Sequence, residues 1–157
     1  MSRSKKYFPM FVDLSEKQIV VVGAGAIAAR RIRTLLPFCS SLTVVAPEAS
    51  EPVRELWEKG QILWKKERYA RESIRYADLV LACTGDPETD NDIYSVCRCL
   101  GIPVNVCSDR RKCDFYFPGI VSRENVVVGI TAGGTDHRKA KEIREKIEKL
   151  LEDEEHE

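Results

Sequence analysis

Residues 18–36 are QIVVVGAGAIAARRIRTLL, a β-branched run, a glycine-containing loop and an amphipathic segment in direct succession. The run Gln18–Val22 is apolar after its first residue, which is typical of a parallel strand buried on both faces. Apolar residues recur from Ala28 to Leu36 at the spacing of one helix face, and Pro37 predicts the end of that helix. This succession predicts the first βα unit of a Rossmann-type sheet.

The loop between strand and helix has the pattern G-x-G-x-x-A. Its first glycine permits a tight turn, its second lets a pyrophosphate approach the backbone, and the final alanine permits close helix–strand packing. The helix N-terminus offers free N–H groups and a partial positive charge to phosphates. A structural turn without a ligand is the alternative. We predict a nicotinamide dinucleotide over this loop, bound by Gly23, Gly25, Ala26, Ile27 and Ala28.

A carboxylate that binds the ribose is expected about 20 residues beyond the loop. Glu48 stands 20 positions after Ala28, and Pro47 separates it from a predicted strand, Leu42–Ala46. No arginine directly follows that strand to bind a 2′-phosphate, which favours NAD over NADP. Capping of the next helix is the alternative role of Glu48.

Strand and helix patterns alternate as far as residue 107. Further strands are predicted at Ile62–Trp64, Leu79–Cys83 and Pro103–Cys107, and further helices at 52–59 and Glu88–Leu100. This order predicts an α/β fold, a Rossmann-type doubly wound parallel sheet with right-handed crossovers. We assign residues 1–112 to this NAD-binding domain.

The pattern changes in residues 113–157. Phe115–Phe117 and Val126–Thr131 are predicted strands, too close in sequence for a crossover helix between them. A final helix follows, with Thr135 or Asp136 as its N-cap. So small a strand-plus-helix region is marginally stable alone. We therefore predict that it serves dimerisation and the substrate side of the site.

Charge and composition limit the classes of partner. Basic and acidic residues number 25 each, and five of the acids lie in residues 152–157. The remainder of the chain is mildly basic, which suits an anionic ligand and falls short of a nucleic-acid-binding surface.

No apolar signal-peptide core follows the basic start of the chain, and the longest apolar run, Ile19–Ala29, is too short to span a bilayer. We therefore predict a soluble, cytoplasmic protein without a membrane partner, in which the six cysteines are reduced thiols. The alternative is a metal cluster, but the spacing does not match a zinc ribbon and no metal site is predicted. The candidate ligands of such a cluster would be Cys97, Cys99, Cys107 and Cys113.

Seven short strings between residues 7 and 148 together resemble one family. They are YFPMFVDL at 7–14, VVVGAGAIAARR at 20–31, TVVAPE at 43–48, ACTGD at 82–86, VNV at 104–106, FYFP at 115–118 and GGT at 133–135. The chain is similar here to the precorrin-2 dehydrogenase and sirohydrochlorin ferrochelatase family, whose members stand alone or form the N-terminal domain of siroheme synthases. The resemblance implies NAD-dependent oxidation of precorrin-2 to sirohydrochlorin by a homodimer, and some members also insert ferrous iron. Thr84 and Asn105 lie within these strings and complete the predicted cofactor-binding set.

The chain departs from the family pattern in places that concern proton transfer. Ser108 occupies the position of the family's aspartate after the fifth strand, and Asp109 follows one residue later. Asp90 stands where the family has asparagine. We predict Asp109 as the base, with His137 as the alternative and Ser108 as a further catalytic candidate. Metal insertion is predicted to be weak or absent.

A tetrapyrrole with eight carboxylates needs cations in its site. Basic residues follow the fifth predicted strand, at the edge where open α/β sheets bind ligands. A solvated charge run on a loop is the alternative. The predicted substrate-binding residues are Arg110, Arg111, Lys112 and Arg138.

Two other functions compete with this one. A dinucleotide-sensing regulatory module would share the glycine loop, but Ala46-Pro47 stands where such modules carry an acid. A non-catalytic tetrapyrrole-binding protein is the second alternative, and Ser108 favours it.

Overall fold

The computed structural model describes residues 6–133 and 135–154. Five parallel strands form one sheet, in the order β3-β2-β1-β4-β5. Since the chain crosses from β3 to the other side of β1, the topology reverses between β1 and β4, the place where doubly wound sheets bind ligands. The predicted α/β fold is confirmed. The strands are β1 (Gln18–Val22), β2 (Ser41–Val45), β3 (Leu63–Lys65), β4 (Leu79–Ala82) and β5 (Val104–Val106).

Three helices connect these strands, α1 (Ala26–Leu35), α2 (Glu51–Glu58) and α3 (Pro87–Leu100). Helix α1 ends one residue earlier than predicted, because a 3₁₀ turn over Leu36–Phe38 accommodates Pro37. Helix α3 ends at Gly101, which has the left-handed conformation (φ 69°) that favours glycine.

The core lies between the sheet and its helices. Val80 and Val104 from neighbouring strands are fully buried, as are Ile93 and Cys97 from α3. Ile93 and Cys97 are one helical turn apart, so a single face of α3 packs on the sheet. This packing fixes the carboxyl ends of β4 and β5, where the candidate site lies.

The chain divides into two compact units. One is the sheet unit, Val12–Phe115; the other is formed by the residues before and after it. The two segments of the second unit are in contact, since Tyr7 of the first segment packs its ring on Tyr116 of the other, with centroids 4.1 Å apart.

The second unit contains an antiparallel hairpin, β6 (Gly119–Arg123) and β7 (Val126–Ile130), and helix α4 (His137–Glu154). The prediction of a strand at Phe115–Phe117 is wrong: the first strand of the hairpin begins beyond Pro118. Proline cannot donate to a strand ladder, and the Phe115 carbonyl accepts a hydrogen bond from the Asn105 side chain instead of from a strand.

Helix α4 is capped by Asp136, one of the two predicted N-cap residues. Its Oδ1 accepts a hydrogen bond of 2.9 Å from the backbone N–H of Lys139. Among the described residues, no helix combines the length and the apolar character needed to cross a membrane.

Candidate functional site

The glycine loop follows β1 at the carboxyl edge of the sheet. Gly23 has a φ of 104°, and a Cβ at this position would lie 2.2 Å from the carbonyl oxygen of Cys83. Glycine is therefore required for the turn itself. At Gly25, in contrast, a Cβ would have no atom within 4 Å. Gly25 is the N-cap of α1 and has no side chain to cap the helix, so the first backbone N–H groups of α1 receive no side-chain cap.

A cleft opens beside this loop. It contains the Ser50 hydroxyl oxygen, which is buried and has no hydrogen-bond partner in the described part of the chain. It also contains Arg54 and Arg68, whose guanidinium groups form no ion pair among the described residues. The cleft is lined by Val22, Gly23, Ala24, Gly25, Val45, Ala46, Pro47, Glu48, Ala49, Ser50, Arg54, Arg68, Tyr69, Thr84, Asp86 and Thr89.

The predicted loop residues differ in their surroundings. Gly23 and Gly25 line the cleft, Ala28 lies on the buried face of α1, and Ile27 is half exposed at 49%. Glu48 is exposed and lines the cleft, and its contact with a ribose stays a prediction. The N-cap of α2 is Ser50 rather than Glu48, so the structure does not show the alternative capping role.

These features fit a dinucleotide. The N–H groups at the start of α1 suit a pyrophosphate. The Ser50 hydroxyl and the two arginines, unpaired among residues 6–133 and 135–154, suit further polar groups of the ligand. Sequence reasoning missed Ser50, Arg54 and Arg68 because they approach the cleft from α2 and from the loop after β3.

Thr84, Asp90 and Ser108 form a hydrogen-bonded network between the ends of β4 and β5. Asp90 is buried, with 2% of its surface exposed. Its Oδ1 accepts hydrogen bonds from the Thr84 hydroxyl at 2.6 Å and the Thr84 N–H at 3.3 Å. Its Oδ2 accepts one from the Ser108 hydroxyl at 3.0 Å. Asp90 therefore connects a residue of the cleft to the loop after β5.

Asn105, predicted to contact the cofactor, is 4% exposed. Its Nδ2 donates to the Phe115 carbonyl at 2.9 Å, so the structure shows it fixing the chain after β5. Thr84, the other residue taken from the family resemblance, lines the cleft.

Asp109 lies beside Arg111. The Arg111 guanidinium donates to both carboxylate oxygens at 3.1 Å, and the Arg111 N–H donates at 3.0 Å. These hydrogen bonds, with the positive charges of Arg111 and Lys112, hold the pKa of Asp109 below its usual value. Asp109 is therefore ionised at neutral pH and is a weaker base than an ordinary aspartate.

The other predicted cations occupy different positions. Lys112 donates to the Asn91 side chain at 2.8 Å and is thereby held on α3. Arg110 is exposed in the same 3₁₀ turn as Arg111. His137 and Arg138 are exposed at the start of α4, in the second unit.

Cys83 and Cys107 directly follow β4 and β5, and their sulfur atoms are 2.7 Å apart. Hydrogen bonding from Cys83 lowers the pKa of the Cys107 thiol, and that bond together with burial raises the pKa of Cys83. Cys97 is buried in the core, whereas Cys99 is exposed, so these two do not meet. Within residues 6–133 and 135–154, no three metal-ligating side chains are grouped to hold an ion.

Known proteins share this sequence and fold. A family described as "Putative NAD(P)-binding" matches residues 10–119. The siroheme synthase of Actinobacillus succinogenes is 37% identical over 92% of the chain and 30% of its own length. The probable multifunctional siroheme biosynthesis protein HemA of Ruminiclostridium josui is 35% identical over 91% of the chain and 28% of its own length. The chain thus spans about a third of the length of these curated relatives.

Among solved structures, SirC, precorrin-2 dehydrogenase, superposes with a TM-score of 0.71 and 26% identity. The match covers 92% of this chain and 71% of that protein. The resemblance predicted from the short strings is confirmed. The glycine loop, the cleft beside it and the match over residues 10–119 agree, and the chain belongs to this NAD(P)-binding family.

Proposed function

We propose that the chain oxidises precorrin-2 to sirohydrochlorin in siroheme biosynthesis, with NAD as the oxidant. The observation that carries the proposal is the cleft beside the glycine loop, at the carboxyl edge of a fold shared with a precorrin-2 dehydrogenase. Bound NAD would supply the hydride acceptor. The chain's own residues have to bind the two reactants, orient them and take up a proton.

The first βα unit would bind the cofactor. The backbone at Gly23 and Gly25 and the N–H groups of Ala26, Ile27 and Ala28 would hold the pyrophosphate. Glu48 would accept hydrogen bonds from the ribose hydroxyls, and Thr84 would contact the nicotinamide end. We assign NAD rather than NADP because a carboxylate at position 48 repels a 2′-phosphate.

Substrate binding uses the cations after β5. Arg110, Arg111 and Lys112 would pair with carboxylates of precorrin-2. Arg138 is a further proposed substrate-binding cation and belongs to the second unit. Arg111 is already paired with Asp109, which reduces the positive charge that it can offer to the substrate.

Three residues are proposed for proton transfer. Asp109 is the predicted base. Hydrogen bonds from Arg111 hold its carboxylate in place and lower its pKa, which makes it a weaker base. His137 belongs to the second unit. Ser108 is exposed and hydrogen-bonded to a buried carboxylate, an arrangement suited to passing on a proton. Metal insertion would be weak, since a hydroxyl replaces the carboxylate that the family resemblance implies at this position.

We further propose that the protein acts as a cytoplasmic homodimer. Its N-terminal segment exposes large apolar side chains, with Phe8 at 86%, Met10 at 74% and Phe11 at 77%. Such a patch favours association between two copies of the chain. The six free thiols accord with a reducing compartment.

The decisive test mixes purified protein with precorrin-2 and NAD under anaerobic conditions and follows the absorbance of sirohydrochlorin and NADH together. Equal appearance of both products supports the proposal. Binding of NAD without product formation would instead favour a non-catalytic binding protein. A second assay with sirohydrochlorin and ferrous iron measures metal insertion, which is expected to proceed near the uncatalysed rate.

A further inference from the structure

Asp90 is a buried carboxylate that does not itself line the dinucleotide cleft. It accepts its three hydrogen bonds from uncharged donors, the Thr84 hydroxyl and N–H and the Ser108 hydroxyl. Burying a carboxylate is costly in free energy, and hydrogen bonds offset only part of that cost. An apolar side chain on this face of α3 would be cheaper to bury, so the carboxylate is best explained by what it does for its partners.

Ser108 connects this carboxylate to the ligand-binding edge. Its side chain is exposed, while its hydroxyl hydrogen points inward to Oδ2 of Asp90 at 3.0 Å. A serine oxygen that donates one hydrogen bond can still accept others. Ser108 can therefore accept a proton from outside while it donates its own to Asp90.

We propose that Ser108 relays the proton released by the reaction to Asp90. This inference rests on the proposed function. The substrate loses a hydride, with its electron pair, to bound NAD. It then loses a proton to the Ser108 oxygen, and the electrons of that second broken bond form a new double bond in the substrate. The original Ser108 proton moves to Asp90, which becomes a neutral carboxylic acid and later returns the proton to water.

The neighbouring Asp109 is less suited to this task. Arg111 donates three hydrogen bonds to its carboxylate, two of them from the guanidinium. Protonation of Asp109 would break a charged pair, whereas protonation of Asp90 requires only that its hydrogen bonds with hydroxyl groups rearrange. Asp90 acts through Ser108 and does not itself contact the substrate, because it is 98% buried within the protein.

Substitution of Asp90 by asparagine tests proton uptake while it keeps the hydrogen bonds with Thr84. The amide oxygen of Asp90→Asn can still accept from Thr84, so the cleft side is retained. Its NH₂ group faces Ser108, cannot accept the hydroxyl proton and has no useful basicity. We expect kcat for precorrin-2 oxidation to fall about 100-fold or more, the usual contribution of general-base catalysis, with KM for NAD unchanged.

Ser108→Ala provides a second variant, at an exposed position where folding is not at risk. It should lose kcat to a similar extent, and Ser108→Thr should restore most of it because the hydroxyl is kept. The double variant Asp90→Asn/Ser108→Ala should be no slower than the slower single variant, since both residues act in one relay. Matched controls on the same helix are Asp92→Asn and Ser95→Ala, which should turn over like the wild type.

The outcomes distinguish the relay from the proposed function. An active wild type with unchanged kcat in Ser108→Ala overturns the relay, as do multiplicative losses in the double variant. Loss of NAD affinity in proportion to kcat would show a purely structural role for Asp90. If the wild type oxidises no precorrin-2, the proposed function fails and the relay with it. In that case the ¹³Cγ resonance of Asp90 still reports, through its shift in Ser108→Ala, whether the hydrogen bond exists in solution.

Discussion

Positions 23 and 25 both require glycine, but for different physical reasons. Gly23 is required by packing, because a Cβ there would overlap the Cys83 carbonyl, whereas Gly25 faces open space. A side chain at position 23 should therefore lower the stability of the fold, and a side chain at position 25 should lower the affinity for the ligand.

We expect Gly23→Ala to lose about 1–3 kcal/mol of unfolding free energy, the usual cost of an overpacked site. Gly25→Asp should unfold like the wild type, since aspartate is a favourable N-cap residue. It should nevertheless abolish NAD binding by blocking and repelling the phosphates. Thermal denaturation and titration calorimetry measure the two effects.

Gly25→Asn is the matched control, of equal size but uncharged. It should bind NAD more weakly than the wild type and more tightly than Gly25→Asp. Affinity like that of the wild type in Gly25→Asp would contradict the assignment of the pyrophosphate to this loop.

The candidate site was predictable from sequence only where a residue belongs to a local motif. The glycine loop and Glu48 are found by spacing along the chain. In sequence, Asp90 is a departure from the family pattern, and that departure alone does not assign it to a site. Its spacing to Ile93 and Cys97 is that of one helix face, so a carboxylate in an apolar stripe was the available signal. Its bond to Ser108 depends on the pairing of β4 with β5, which spacing alone does not give.

The sequence predicts the bounds of helices and strands best where the spacing of apolar residues and the capping residues indicate the same bounds. Strand β1 has its predicted bounds, and α4 begins after one of its two predicted caps. The strand expected at Phe115–Phe117 failed because aromatic residues favour strands in general, while pairing here is decided by the turn at Glu124 (φ 48°) and by Pro118. The hairpin register then places its first strand at Gly119–Arg123.

Helix α3 depends on its cap, Asp86, whose carboxylate accepts from the Thr89 hydroxyl and the Thr89 N–H. These bonds lower the pKa of Asp86 in the folded protein. The cap therefore stabilises the fold above the unfolded pKa of about 3.9, and this stabilisation is lost as pH falls through the lower folded pKa. Asp86→Ala should lower the melting temperature at pH 7 to the extent usual for a removed N-cap. Asp86→Asn, which keeps an acceptor, should melt near the wild type at pH 7, and an equal loss in both variants would contradict the capping role.

Strands β4 and β5 also bring two thiols into contact. Neighbouring strands are about 4.8 Å apart, within the Cα separation that a disulfide spans. We expect a small-molecule disulfide such as oxidised glutathione to convert Cys83 and Cys107 to an intramolecular disulfide, releasing two glutathione thiols. Attack should begin at Cys107, whose pKa is lowered.

Alkylation followed by mass spectrometry should show two thiols lost together in the wild type. Cys107→Ser should abolish this paired loss. Cys99→Ser, which removes an exposed thiol elsewhere on the sheet unit, should leave it intact. Retention of all six thiols under these conditions would contradict the prediction.

For the whole molecule, we expect light scattering at micromolar concentration to give twice the chain mass of 17.8 kDa. Replacement of both Phe8 and Phe11 by serine should shift the protein toward the monomer, because the exposed apolar patch is then removed. Tyr76→Ser is the matched control, since Tyr76 is 79% exposed but lies in the sheet unit. A wild type that scatters as a monomer would contradict the dimer.

The second unit is built from residues on both sides of the sheet unit, and this has a consequence for synthesis on the ribosome. Tyr7 is synthesised before the sheet unit, but its partner Tyr116 lies 109 positions later. At the usual rates of translation, the wait is roughly 5 to 20 s. Phe8, Met10 and Phe11 are therefore present on the nascent chain before the rest of their unit has been made. During that interval they are available to a chaperone that recognises apolar segments, and slower translation beyond residue 115 would prolong it.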